Sequence, residues 1–333
     1  MGTPPAEPVD HDVSTPGPSP EEPRVYSPPA SPYRMRPEPV GRYVILFALT
    51  VVTTTYAGGL HYASFIVGFS DRVPDMSIAS LLLHGLWYSS SILAILGCHE
   101  LGHYYACRYY HVDASRPYFL PMPVLLTGTL GAFIRIRTPI PGKRALFDIG
   151  VAGPIAGFIV AIPLLLVGMH MSTVVRVPET FRGQVFELGE PLLFKAAAWM
   201  TFGSIADGYS VNMHPMAFAA WFGMLATALN LFPIGQLDGG HVAYAVFGRR
   251  STIVTFATVI GLVGLTFVST SWLVWTVLTV VMLLTFGPRH PRTLDEDIPL
   301  DSGRLLLAAF ALLMFILCFT PAPIEPMALV GRH

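Results

Sequence analysis

The sequence predicts an all-α polytopic membrane protein of about seven transmembrane helices (six to eight), with a short β-like hairpin near its active site. Three observations carry that prediction. Of 333 residues, 53% are hydrophobic and 12% charged, about half the charge that coats a soluble domain. The apolar residues gather into runs close to the ~20 residues that span a bilayer. Lys and Arg collect in alternate gaps between those runs. The net charge of −1 excludes the basic footprint of a nucleic-acid binder. The three cysteines, Cys98, Cys107 and Cys318, form no CxxC pair, which excludes a disulfide scaffold or a Cys-rich zinc module.

Residues 1–42 read as a disordered, Pro-rich cytoplasmic tail. Residues 1–39 hold 12 of the 30 prolines, with six acids against three arginines, and too little apolar material to fold. A basic start followed by an early apolar run is missing, so no signal peptide is expected. Residues 43–333 read as one membrane-embedded domain. Candidate spans are 43–67, 78–105, 145–170, 215–232, 252–268, 272–286 and 305–319. Ser269, Thr270 and Ser271 imply a tight hairpin between the fifth and sixth. With the N-terminus inside, fifteen Lys and Arg fall on the inner side and five on the outer, which sets the N-terminus in the cytoplasm. Residues 108–144 then form an inner segment and 171–214 an outer one, with a surface helix expected over 192–205. Within the inner segment, LLTGTLGAFIRI (residues 125–136) reads as a short strand or re-entrant hairpin.

Among the acids, Glu100, Asp148 and Asp238 alone fall in or at the edge of the apolar runs. Ionisable groups at membrane depth are costly and mark function by default. Asp148 is expected in the first turn of its helix, complementing the N-terminal dipole. Glu100 lies in His99-Glu100-Leu101-Gly102-His103, an HExxH pattern. Residues i and i+4 share a helix face, so the two imidazoles can ligate one zinc while Glu100 serves its water as general base. A third ligand must come from elsewhere. Asp238, in NLFPIGQLDGG (residues 230–240), is the best candidate, since the positive-inside assignment puts it at the same depth and side as the histidines. His241 is the rival, read as starting the next helix. His84 is about 22 Å along the helix from His99, and His61, His111, His170 and His214 read as interfacial. Gly153 and Gly157 have the GxxxG spacing of tight helix packing.

HELGH on one membrane helix with NLFPIGQLDGG on a later one resembles the site-2 protease family of intramembrane zinc metalloproteases. GTLGAFIRI (128–136) and FDIGVAGPIAG (147–157) extend the resemblance over residues 96–248, setting a catalytic core at about 78–248. The resemblance implies Zn2+ held by His99, His103 and Asp238, with Glu100 as general base and Asn230 facing the active site as an oxyanion stabiliser. It implies hydrolysis of a peptide bond in or near a transmembrane segment of a single-pass or other membrane-protein substrate, in regulated intramembrane proteolysis. The expected setting is a bacterial cytoplasmic membrane, with the lipid bilayer as partner and no nucleic acid. Residues 171–214 are too short for a PDZ-like insertion. The segment carrying Gly128, Gly131, Ala132 and Phe133 is expected to hold the unwound substrate as an added strand. The alternatives are a peptidase for soluble or juxtamembrane peptides and a metal transporter. The transporter would need paired broken helices or repeats, and no internal repeat is present.

Overall fold

A computed structural model describes residues 2, 38–69, 76–123, 126–178, 186–287, 295 and 298–326. Of the tail expected over residues 1–42, residues 1 and 3–37 lie outside the described residues, and Val40–Arg42 belong instead to the first helix. The fold is that of the unit Pro37–His333.

All seven apolar runs are helical. They become α1 (Val40–Val67), α2 (Ile78–Tyr109), α3 (Lys143–His170), α5 (Pro215–Asn230), α7 (Ser251–Thr266), α8 (Trp272–Phe286) and α9 (Ser302–Cys318). Two more helices complete the set among the described residues. α4 (Leu192–Phe202) is the surface helix expected from the sequence, and α6 (Asp238–Phe247) runs through a 3-10 turn into α7. Among the described residues, four stretches are long and apolar enough to cross a membrane: α1, α2, α3 and Asp238–Thr266. α5, α8 and α9 have 16, 15 and 17 residues.

The centre of the molecule is α2, α3 and α5, and small residues let these helices meet. Gly102 of α2 lies against the Ala152 backbone of α3, and Gly168 of α3 against Ala217 of α5. Lipid tails give apolar helices no reason to associate, so this close van der Waals approach is the main attraction available in a bilayer. The core built on it includes Phe147, Leu165, Met169, Trp221 and Met224, all essentially inaccessible. α9 covers that core with Ala311, Met314 and Cys318, so the C-terminal helix packs on residues the sequence assigned to the catalytic core.

Among the described residues, three two-stranded sheets accompany the helices. β1 (Tyr118–Pro121) pairs antiparallel with β2 (Thr129–Phe133), Tyr118 opposite Phe133 and Leu120 opposite Gly131. A bridge between Ala114 and Ile136 prolongs the ladder. This is the hairpin expected over residues 125–136, although its first strand lies before that segment and residues 124–125 are outside the described set. β3 (Thr173–Arg176) pairs with β5 (Tyr209–Asn212), and β4 (Phe186–Leu188) with β6 (Ile324–Pro326). The sequence reading assigned no strand to these regions.

One placement differs from expectation. α3 begins at Lys143, so its first turn contains no acid. Asp148 is its sixth residue and serves a different purpose from dipole complementation, described below.

Candidate metal centre

α2 carries the HELGH residues well inside its length. Ten residues separate His99 from the helix end at Tyr109, about 15 Å at 1.5 Å per residue. His99, Glu100 and His103 are all buried, each no more than 7% exposed. The other half of the site arrives from α5 and α6. α5 ends at Asn230, the chain turns through Leu231–Leu237, and Asp238 opens α6. A Cβ on Gly239 would sit 2.0 Å from the Leu231 carbonyl oxygen. Only glycine at this position lets α6 start directly beneath the end of α5, and that close reversal brings Asp238 back to α2.

His99, His103 and Asp238 converge, and His241 does not belong to the group. The two Nε2 atoms are 3.1 Å apart, and Asp238 Oδ2 lies 3.3 Å from each. A tetrahedral ion with bonds of about 2.0–2.1 Å requires ligand–ligand edges of about 3.3–3.4 Å, so the triangle matches zinc. The donor set is chemically suited as well. His103 Nδ1 donates to the Ile149 carbonyl of α3 at 2.7 Å. That bond fixes the proton on Nδ1 and leaves the Nε2 lone pair facing the other two ligands, the usual device for orienting a metal-binding imidazole.

α3 also makes room for the ring. A Cβ on Gly153 would lie 2.1 Å from His103 Nε2 and 2.4 Å from Cδ2. Gly157 faces His99 less tightly, its Cβ position being 3.2 Å from the His99 Cβ. The GxxxG pair therefore packs α3 against α2 as expected, and at Gly153 the space it frees is occupied by the His103 ring, a candidate ligand.

The remaining predicted residues fall as follows. The Ile134 backbone, immediately after β2, lies beside the Glu100 carboxylate, so the hairpin borders the general-base candidate. Asn230 Nδ2 lies 3.3 Å from His99 Nε2, at the edge of the ligand triangle. Ala132 and Phe133 are paired to β1, with Phe133 half-exposed. Gly131 has φ +105°, with nothing within 4 Å of a Cβ position. Gly128 has φ +68°, and a Cβ there would stand 2.6–2.7 Å from the Thr53 and Thr54 backbone of α1, so the close approach it permits is to α1. Among the described residues β2 has no second strand partner.

Residues not singled out from the sequence join the site from behind. Arg304 of α9 grips Asp148 with two bonds, Nε to Oδ1 at 2.9 Å and Nη2 to Oδ2 at 2.5 Å. The Tyr110 hydroxyl, at the end of α2, donates to Asp148 and accepts from Arg304 at 3.2 Å. The one signal available in the sequence was an acid near the membrane interface.

A family model described as peptidase family M50 matches residues 87–270. The chain is 30% identical over 257 residues to the Oryza sativa subsp. indica protein named "Probable zinc metalloprotease EGY2, chloroplastic", covering 75% of this chain and 45% of that one. It is 28% identical over 308 residues to the EGY1 protein of the same description from Arabidopsis thaliana, covering 86% and 54%. To the EGY3 protein of Oryza sativa subsp. japonica it is 31% identical over 305 residues, covering 82% and 47%. The chain thus spans about half the length of these relatives. No solved structure matches it.

Proposed function

This chain belongs to peptidase family M50, the site-2 protease group, and we propose that it is an intramembrane zinc metalloprotease. It hydrolyses a peptide bond in or near a transmembrane segment of a membrane-protein substrate, as a step of regulated intramembrane proteolysis. The observation that carries the reading is the zinc-sized triangle of His99, His103 and Asp238, with Glu100 beside it, the two histidines and the glutamate lying inside an apolar helix.

Bound zinc supplies a Lewis acid for water and for the scissile carbonyl. The chain's own residues do the rest. The Glu100 carboxylate takes a proton from the attacking water and returns one to the leaving amine nitrogen. The Ile134 backbone borders that carboxylate. Asn230 offers its amide N–H to the developing oxyanion. A peptide bond inside a helix is shielded by its own ladder, so the substrate must unwind. The open edge of β2 takes the unwound segment as an added strand past Gly131, Ala132 and Phe133, close to Glu100 because the same strand runs on to Ile134 beside it. Gly128 serves by seating the hairpin on α1.

The proposed arrangement has seven spans with the tail of residues 1–42 cytoplasmic, supported by the seven apolar helices and the fifteen-to-five charge split. The relatives named above are chloroplastic. The bacterial cytoplasmic membrane enters as the setting of the proposal, its support being the sequence alone.

Purified protein with a single-pass substrate in detergent or nanodiscs tests the function. Glu100→Gln should keep zinc and lose about 100-fold or more in cleavage, the share general acid–base catalysis commands. His103→Ala should lose both metal and activity. Cleavage by Glu100→Gln near the wild-type rate, or zinc undiminished in His103→Ala, refutes the assignment.

A further inference from the structure

We infer that Arg304 of α9, outside the family-matched residues, is a positioning residue that sets the metal-ligand geometry of His103 through Asp148 and the α3 backbone. The inference rests on the zinc reading above. His103 is oriented by one bond from outside the ligand triangle, Nδ1–H to the Ile149 carbonyl at 2.7 Å. Ile149 adjoins Asp148. The position of that carbonyl therefore depends on where the second turn of α3 is held against α2.

Arg304 holds it. The guanidinium meets the Asp148 carboxylate in a fork, at 2.9 and 2.5 Å, which fixes direction as well as distance. Its Nη2 also reaches the Tyr110 hydroxyl at 3.2 Å, and Tyr110 is the residue that caps α2. One side chain on α9 thus ties together the end of the helix that carries His103 and the turn of α3 that orients it. Arg304 is itself held. Asp301 caps α9 by accepting the Arg304 N–H at 3.1 Å, and its carboxylate pairs with the guanidinium. The segment before α9 acts in the same place, since Asp295 accepts the Lys143 N–H at 2.6 Å at the start of α3. Two independent contacts from beyond residue 270 thus converge on the first two turns of α3, and neither touches a ligand directly.

Zinc affinity, measured by chelator competition on purified full-length chain alongside thermal stability, tests this. Arg304→Gln and Asp148→Asn should each weaken zinc about 10-fold, the lower end for partners behind a ligand. The double variant should be no weaker than either single one, because the two act as one unit. Arg304→Lys keeps the charge without the fork, so it should fall between Gln and wild type. Met314→Ala, a cavity in the buried face of α9 away from the clamp, should lower the melting temperature and leave zinc affinity unchanged. Wild-type zinc affinity in both Arg304→Gln and Asp148→Asn overturns the inference, as does an equal loss in Met314→Ala. If Arg304→Gln is not recovered folded, Arg304→Lys decides: wild-type affinity there overturns the inference and weakened affinity supports it. Wild-type protein that binds no zinc rejects the proposed function itself, an outcome distinct from wild-type binding that the clamp variants leave unchanged.

Discussion

Gly153→Ala is the smallest change that should empty the site without touching a ligand. The added Cβ would stand 2.1 Å from His103 Nε2, 2.4 Å from Cδ2 and 2.5 Å from Cε1. Ordinary contact begins at 3.4 Å, so ring and methyl must separate by about 1.3 Å. The ring has little freedom to retreat. It is 7% exposed, and its Nδ1 is bonded to the Ile149 carbonyl. α3 has little freedom to move off, since Gly168 already rests on the Ala217 backbone of α5 and Gly150 on His241 of α6. Metal–ligand distances tolerate about 0.2 Å, so sharing the displacement equally between ring and helix still breaks the ligand geometry. Overpacking of this kind costs about 1–3 kcal/mol of stability, while zinc affinity should fall at least as far as the 10–100-fold typical of lost outer-shell support. Gly157→Ala is the control. Its Cβ would meet the His99 Cβ at 3.2 Å and Nδ1 at 3.4 Å, a clash of a few tenths of an ångström that neighbours absorb. Chelator competition on both purified variants is the assay. Wild-type zinc affinity in Gly153→Ala, or equal losses in the two variants, refutes the argument that the Gly153 slot sets the His103 position.

Ile134→Pro alters the backbone beside the Glu100 carboxylate and removes an N–H from the hairpin edge, so cleavage should drop severely with zinc retained; unchanged turnover rejects the strand edge as a working part. Asp238→Asn should weaken zinc and activity together, read by metal analysis beside a cleavage assay. A cysteine placed at exposed Arg116 should resist a membrane-impermeant label in intact cells, and labelling there would reverse the proposed topology. His214 caps α5 by accepting the Met216 N–H through Nδ1, and burial, with His84 adding to it, pulls its pKa from 6.5 to about 4. Its neutral form is favoured in the fold, so this contribution is intact above pH 6.5 and is lost as pH falls from there toward 4. His214→Asn, which keeps a capping oxygen, should flatten that part of a stability-against-pH curve, and an unchanged acid limb counts against the cap.

What the sequence made legible was whatever a single helix or a depth argument can carry. HELGH declares itself because i and i+4 share a face, and Asp238 because an acid at the same depth has little other reason to be there. The spacing of Gly153 and Gly157 announced a helix contact, yet nothing local in GxxxG says whether the opposing surface is backbone or an imidazole. Here it is the His103 ring, and that depends on the relative rotation of α2 and α3, a tertiary quantity. Asp148 was misread for the same reason. A carboxylate near a helix start is ordinary dipole chemistry, and its actual partner lies 156 residues further on. The small sheets were hidden too, since β4 and β6 pair through three residues each across more than a hundred positions, too short for alternation to register. The catalytic motifs were therefore visible one helix at a time, whereas the parts that aim them, a slot on α3 and a clamp from α9, exist only once three helices are packed. A core cut at residue 248 from motif boundaries leaves out Asp295 and Arg304, which hold the helix whose Ile149 carbonyl orients His103.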